Sequence, residues 1–284
     1  MFFCFFLVFL LSLFVTLVNN IFFWWGVFLL MTIFIVVMNK QVFSYSSIFN
    51  YFILQESLGL LFLLLFLGYL PLLILMLKLG VSPFHFWIFK VVNGMSGFNL
   101  VWFLTVHKIP FVMVFQQLFL DWVVYFLLVG LFLCLFQMFV VKSFKSLLVV
   151  SSVDSLGWVM LGMFMSFFNS FFCFFYYVFF MVLLISKFDL LSGISKNFDW
   201  ELVLVFMNVP FSVSFFIKVF LLMEFLVGFG YFVLFLLFFM FLSILSIVFW
   251  LILLSVKDLS FEKYSVPFVF FMLPLMIVVM FFYL

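Results

Sequence analysis

The sequence contains no alanine and no arginine, and only 7% of its 284 residues are charged, against roughly 25% in soluble domains. So few charges cannot form the polar shell of a water-soluble fold, and the 71% of apolar residues can be accommodated only in lipid. The net charge is +2 and no run of lysines occurs, which excludes nucleic acid as a partner, because such binding needs clustered cations facing phosphates. Cys4, Cys134 and Cys173 stand singly in apolar runs, without the paired spacing of zinc, iron-sulfur or disulfide frameworks. They read as space-filling residues. His85 and His107, the two histidines, offer a haem one ligand pair at most and read as core residues. Gly228-Phe229-Gly230 lies in apolar surroundings and lacks the third glycine of a nucleotide loop. The opening Met1-Phe2-Phe3-Cys4 has neither the basic region nor the cleavage site of a signal peptide and reads as the start of a first span.

What the sequence has in abundance is phenylalanine, 58 residues of it. Phe is encoded by T-rich codons and Ala by GC-rich ones, so the bias points to an organellar gene rather than to a structural demand for Phe. Crossing a bilayer core of about 30 Å takes about 20 apolar helical residues. About eleven segments meet that requirement: Phe2 to Val18, Ile21 to Met38, Ile48 to Gly68, Pro71 to Lys90, Gly97 to Phe119, Trp122 to Val141, Ser146 to Ser166, Phe168 to Ser186, Glu201 to Leu226, Phe229 to Ser255 and Tyr264 to Tyr283. The expected fold is an all-α polytopic membrane helix bundle, residues 1–284 forming a single transmembrane domain. The breaks rest on weak punctuation such as Asn19-Asn20, Asp121, Gly228 and Gly230. Lysines concentrate in loops on the side from which a chain is inserted. With these spans, Lys40, Lys90, Lys142, Lys145, Lys187, Lys196, Lys257 and Lys263 all fall on the N-terminal side, which places the N-terminus inside and the C-terminus outside.

The remaining lysines, Lys78, Lys108 and Lys218, lie near the middle of their spans, as do the acids Glu56 and Asp154. A charge at the bilayer centre costs about 2.5 to 3.5 kcal/mol on insertion scales, so such residues face a bundle interior or a wet cavity and mark ion routes. Two of these spans also carry helix breakers. One is Lys78-Leu79-Gly80-Val81-Ser82-Pro83-Phe84-His85-Phe86-Trp87; the other, Asn208-Val209-Pro210-Phe211-Ser212, precedes Lys218. Pro83 and Pro210 lack an N–H and free a carbonyl one turn back, which in lipid only water or neighbouring protein can satisfy. Ion transporters use interrupted helices of this kind at the midplane. Lysine suits a proton relay because burial disfavours its charged form while a nearby carboxylate favours it, so its charge can be switched. Two such ammonium groups about 8 Å apart repel by about 2 kcal/mol at an effective dielectric of about 20, and moving one proton biases the next.

The Lys78 to Trp87 stretch, then Val106-His107-Lys108-Ile109-Pro110, then Lys145-Ser146-Leu147-Leu148-Val149-Val150-Ser151-Ser152 running to Gly157-Trp158, then Pro210 to Lys218, resemble in order the chain 2 family of mitochondrial NADH-ubiquinone oxidoreductase (respiratory complex I), an antiporter-like membrane subunit family. The resemblance implies that Lys78, Lys108 and Lys218 are the family's buried lysines, that Pro83 and Pro210 mark its two broken helices, and that Glu224 is the acid following the last lysine. It implies a core membrane subunit that takes part in proton translocation across the mitochondrial inner membrane without a redox step of its own. NADH, FMN, iron-sulfur clusters and ubiquinone would then be bound by other subunits, with none on this chain. The other membrane and accessory subunits and membrane lipids would be its partners, and eleven spans with the N-terminus in the matrix its topology. Departures are specific. The family's glutamate in the second span falls near Phe28, where no acid stands, and Glu56 is the candidate replacement. Its histidine after the Ser-Ser pair is Ser155 here, beside Asp154, and the second proline and the glycine of the ninth-span motif are Phe211 and Ser214. The same residues also suit a stand-alone cation/proton antiporter, which would transport when purified alone, or a scaffold whose charges dock neighbours.

Overall fold

A computed structural model of the chain describes residues 2–39, 45–65, 68–141, 143–165, 171, 173–182 and 185, and further on 198–199, 215, 217–223, 230, 235, 237–242, 244–245 and 261–262. The chain divides into two compact units, residues 1–134 with 141–186, and residues 135–140 with 187–284.

The first unit is helical. It contains α1 (Phe2–Leu17), α2 (Ile21–Asn39), α3 (Tyr45–Leu64), α4 (Leu70–Leu79), α5 (Phe86–Val92), α6 (Gly97–Leu104), a 3₁₀ turn at Val106–Lys108, α7 (Ile109–Gln117) and α9 (Phe144–Met165), with most of α8 (Trp122–Val140). Stretches Ile21–Asn39, Tyr45–Leu64, Gly97–Gln117, Trp122–Val140 and Lys145–Met163 are long and apolar enough to cross a membrane. The molecule is an all-α polytopic membrane bundle. In the second unit the described residues include a helical piece around Lys218 and a two-residue parallel pairing, β1 (Phe198–Asp199) with β2 (Phe261–Glu262). The expected ninth to eleventh spans fall largely outside the described residues.

Polarity is arranged inside out. On α1 the exposed side chains are Phe6, Phe9, Leu13 and Leu17, and on α8 Tyr125, Val129, Phe132 and Phe136, each series at the three- and four-residue steps that trace one face of a helix. Buried positions include Ser12, Thr32, Gln55, Lys78, Thr105, His107, Lys108, Ser152 and Asp154. Apolar groups gain nothing by leaving lipid, whereas polar groups must find partners within the protein.

Inside this unit α2 packs on α3, α1 on α7, α3 on both α4 and α5, α4 on α7 and α5 on α9. Gln117, at the end of α7, donates from Nε2 to the carbonyls of Val15 and Thr16 at 3.1 and 3.2 Å, so α1 and α7 end on one side. Lys145, at the start of α9, donates from Nζ to the carbonyl of Met95 beyond α5 at 2.9 Å, so these two ends also share a side. Alternating crossings produce both pairings if α4–α5 and α6–α7 each count as one interrupted span.

Candidate functional site

The expected break in the fourth span is present, and glycine starts it. The α4 helix ends in a Schellman motif: Gly80, at φ 63°, donates its N–H to the Leu77 carbonyl at 3.1 Å, and Val81 donates to Met76 at 3.1 Å. Gly80 tolerates the left-handed backbone that other residues avoid. Pro83 follows three residues later, after a cis Ser82–Pro83 bond, and α5 resumes at Phe86. The Leu77 carbonyl also accepts the indole N–H of Trp87 at 2.9 Å, so the interruption carries its own donor. From α8, Gly130 approaches so closely that a Cβ there would collide with the Ser82 backbone carbonyl.

Opening the helix here frees the carbonyl of Lys78. It accepts Gln55 Nε2 at 3.3 Å, and Lys78 Nζ in turn donates to the Gln55 backbone carbonyl at 2.9 Å. Lys78 is buried, 2% exposed. Its ammonium lies 5.1 Å from the centre of the Phe28 ring and 5.8 Å from that of Phe111, close enough for attraction to the electron-rich ring faces. The resemblance places an acid near Phe28; in this structure the face of an aromatic ring meets the cation instead. Gly59 lies beside it, at a position where a Cβ would stand 3.4 Å from Lys78 Nζ, in ordinary contact.

Glu56 follows Gln55 on α3. Its carboxylate accepts a hydrogen bond from Thr32 Oγ1 of α2 at 2.6 Å, and its charge acts on Lys78. Because α3 packs on both α2 and α4, this acid is bonded to the second helix while its charge reaches the first lysine.

The fifth span is interrupted as well, at Val106–Lys108, an interruption not anticipated from the sequence, although Pro110 could have signalled it. In a continuous helix Lys108 N–H would bond the Leu104 carbonyl; here it turns to Thr105 at 3.1 Å. Tyr177 then donates its hydroxyl to the freed Leu104 carbonyl at 2.8 Å. Lys108 is 3% exposed, and its Nζ has no hydrogen-bond partner among the described residues. Beside it His107, also 3% exposed, shares a 2.8 Å hydrogen bond through Nε2 with the hydroxyl of Tyr51 on α3. The expectation that His107 is a core residue is met, but its polar partner was not foreseen.

Asp154 is buried in α9. Its charge is felt at Cys134 of α8, and its helix packs on α5, which follows the first break. Cys134 and Cys173 are buried free thiols, as expected of packing residues. Lys218, in the second unit, is helical and buried, 7% exposed. Pro210 and Glu224 lie outside the described residues. Gln55, Thr32, Tyr51 and His107 were not among the site residues expected from the sequence; the signal available for them was polar side chains at helical spacing within oil.

No protein-family model matches the chain. Among curated proteins, it is 50% identical over 254 residues to NADH-ubiquinone oxidoreductase chain 2 of Caenorhabditis elegans, covering 88% of this chain and 89% of that protein. It is 46% identical over 284 residues to NADH-ubiquinone oxidoreductase chain 2 of Ascaris suum, covering 98% of this chain and 92% of that protein. With NADH-ubiquinone oxidoreductase chain 2 of Anopheles gambiae it shares 33% identity over 94 residues, 31% of this chain and 26% of that protein.

Proposed function

The chain belongs to the NADH-ubiquinone oxidoreductase chain 2 family, and from that premise we propose that its buried lysines carry protons through the membrane while other subunits perform the redox chemistry. As a family member it is a core membrane subunit of respiratory complex I, a multi-pass protein of the mitochondrial membrane working beside other subunits of that enzyme. Residues 1–284 act as one transport module of the inner membrane, with the N-terminus in the matrix and the C-terminus in the intermembrane space. The lysine-rich loops support this orientation, and the helix ends held together by Gln117 and by Lys145 support the alternation of crossings. NADH, FMN, iron-sulfur clusters and ubiquinone are held by partner subunits. Accessory subunits and lipids complete its surroundings, and nucleic acid has no place there.

The observation that carries the reading is Lys108: a buried amine whose Nζ has no hydrogen-bond partner among the described residues. An ammonium kept permanently charged in such a place is costly, and one that gains and loses its proton in turn is a relay. Lys78 is held by a neutral carbonyl and two ring faces, with Glu56 close enough for its charge to be felt. In this reading Lys78, Lys108 and Lys218 are the carriers, and Glu56 replaces the acid missing at Phe28. Asp154 and Glu224 adjust the field, and Pro83 and Pro210 open the helices. Moving one charge against 100 mV takes about 2.3 kcal/mol, which quinone reduction elsewhere in the complex supplies.

The test is to replace Lys78, Lys108 and Lys218 singly by Met and to measure protons moved per NADH oxidised in inner-membrane vesicles, normalised to assembled complex. Reduced proton yield at normal assembly is expected. A normal yield from assembled complex in all three variants would reduce the lysines to docking elements.

A further inference from the structure

We infer that the Tyr51–His107 pair is the proton carrier between Lys78 and Lys108. The inference rests on the lysine reading above and adds the connection which that reading lacks. Lys78 Nζ is bonded to the Gln55 carbonyl and Lys108 Nζ has no hydrogen-bond partner among the described residues, so the two amines are not in contact, and a proton passes between them only through a group that both accepts and donates. Tyr51 and His107 have that property. Their 2.8 Å hydrogen bond joins residues 56 positions apart, and Tyr51 and His107 are 1% and 3% exposed.

The pair is placed at both lysines. His107 immediately precedes Lys108 on the 3₁₀ turn, and its ring centre lies 5.0 Å from that of Phe111, the ring whose face Lys78 Nζ approaches at 5.8 Å. The charges of both lysines act on His107. Tyr51 stands one helical turn before Gln55, whose backbone carbonyl holds Lys78 Nζ. Around the imidazole the remaining ring neighbours are Phe103 and Phe111, which leave Tyr51 as the polar side chain described against it.

The transfer balances. With His107 protonated at Nδ1, Tyr51 donates its hydroxyl proton to Nε2 and its oxygen takes a proton released by Lys78, directly or through one water. The O–H and N–H bonds formed replace those broken: as Nε2 takes the Tyr51 proton, His107 gives its Nδ1 proton to the neutral amine of Lys108, so no imidazolium is stored between the two lysines. One proton has moved from Lys78 to Lys108, with Lys78 neutral, Tyr51 restored and His107 protonated at Nε2; exchange with water, Nε2 releasing its proton and Nδ1 taking one up, restores the first tautomer.

The experiment compares His107→Gln, Tyr51→Phe and their double variant with Lys108→Met in the assembled complex. Gln keeps a hydrogen-bonding partner for Tyr51 but cannot take one proton while giving up another, and Phe keeps the ring without the hydroxyl. Assembly is read on native gels, proton yield per NADH in vesicles, and the solvent deuterium isotope effect on coupled turnover. Both single variants should assemble and lose about ten-fold in coupled turnover, a conservative share of what positioned proton transfer supplies. The double variant should lose no more than either single one, and the isotope effect should change. If His107→Gln fails to assemble, Tyr51→Phe decides alone. Normal proton yield in assembled variants, or multiplied losses in the double variant, would overturn the inference. If Lys108→Met stops pumping while these variants pump normally, the lysine reading survives without this carrier; if Lys108→Met also pumps normally, Lys108 is no carrier, and the lysine reading fails at that position together with this inference.

Discussion

Lys108 and Lys78 are both buried, yet their surroundings oppose them in different degrees. Lys78 has a carbonyl at 2.9 Å and two aromatic faces, so replacing it removes favourable contacts. Lys108 Nζ has no hydrogen-bond partner among the described residues, and a buried polar group in that position costs about 1 to 3 kcal/mol. Lys108→Met, similar in length and apolar, is therefore expected to leave the assembled complex as heat-resistant as the parent or more so, while Lys78→Met lowers its resistance. Thermal loss of assembled complex on native gels measures both. A stabilised variant with impaired pumping is the signature of a residue kept for its chemistry rather than for packing. Both lysines were legible in the sequence, since an ammonium in an apolar run stands out at once. Phe28 was not: as one of 58 phenylalanines, it gains its meaning from the cation above its ring.

At the scale of elements, the two interrupted spans among the described residues, one opened at Gly80 and one just before Pro110, are each completed by a side-chain donor, local in the first and distant in the second. Trp87 serves the Leu77 carbonyl and Tyr177 the Leu104 carbonyl, which is how non-helical backbone is tolerated at membrane depth. Gly80 and Gly130 make the first break possible in different ways, and substitution separates them. Gly80→Ala forces an alanine to φ 63° and against the Ile88 side chain, a strain of roughly 1 to 3 kcal/mol, part of which Ile88→Ala should relieve. Gly130→Ala meets the backbone carbonyl of Ser82, which no side-chain truncation can move, so trimming Ile88 should not restore it. The yield of assembled complex from the single variants and from each paired with Ile88→Ala checks the contrast. Gly26, with nothing within 4 Å of its Cβ position, is the control: alanine there should be neutral or stabilising by up to about 1 kcal/mol. The motif around Pro83 was readable from the sequence; the onset at Gly80 and the second interruption were not, because both depend on which carbonyl finds a partner.

At the scale of the whole molecule, orientation becomes an experiment. Lys90 lies at the end of the fourth crossing and Asp121 just beyond the fifth, and both are exposed. Cysteines placed singly at these positions should react with a membrane-impermeant thiol reagent from opposite faces, Lys90→Cys from the matrix side and Asp121→Cys from the intermembrane side. Labelling of both from one face would break the alternation of crossings. The buried free thiols Cys134 and Cys173 should stay silent.

Sequence alone determined the membrane class, the first spans, the positions of the buried charges and one of the two interruptions seen. Each follows from local quantities: the transfer free energy of a side chain depends on its own type, and backbone preference on a residue and its neighbours. Tertiary structure alone decided that Lys78 faces Phe28, that Thr32 holds Glu56, that Tyr51 meets His107 across 56 residues, and that Tyr177 closes the second interruption. These helices are apolar on nearly every side, so no polar stripe in the sequence reports which face turns inward. Only packing sets the rotation of each helix, and with it the partner of every buried polar group.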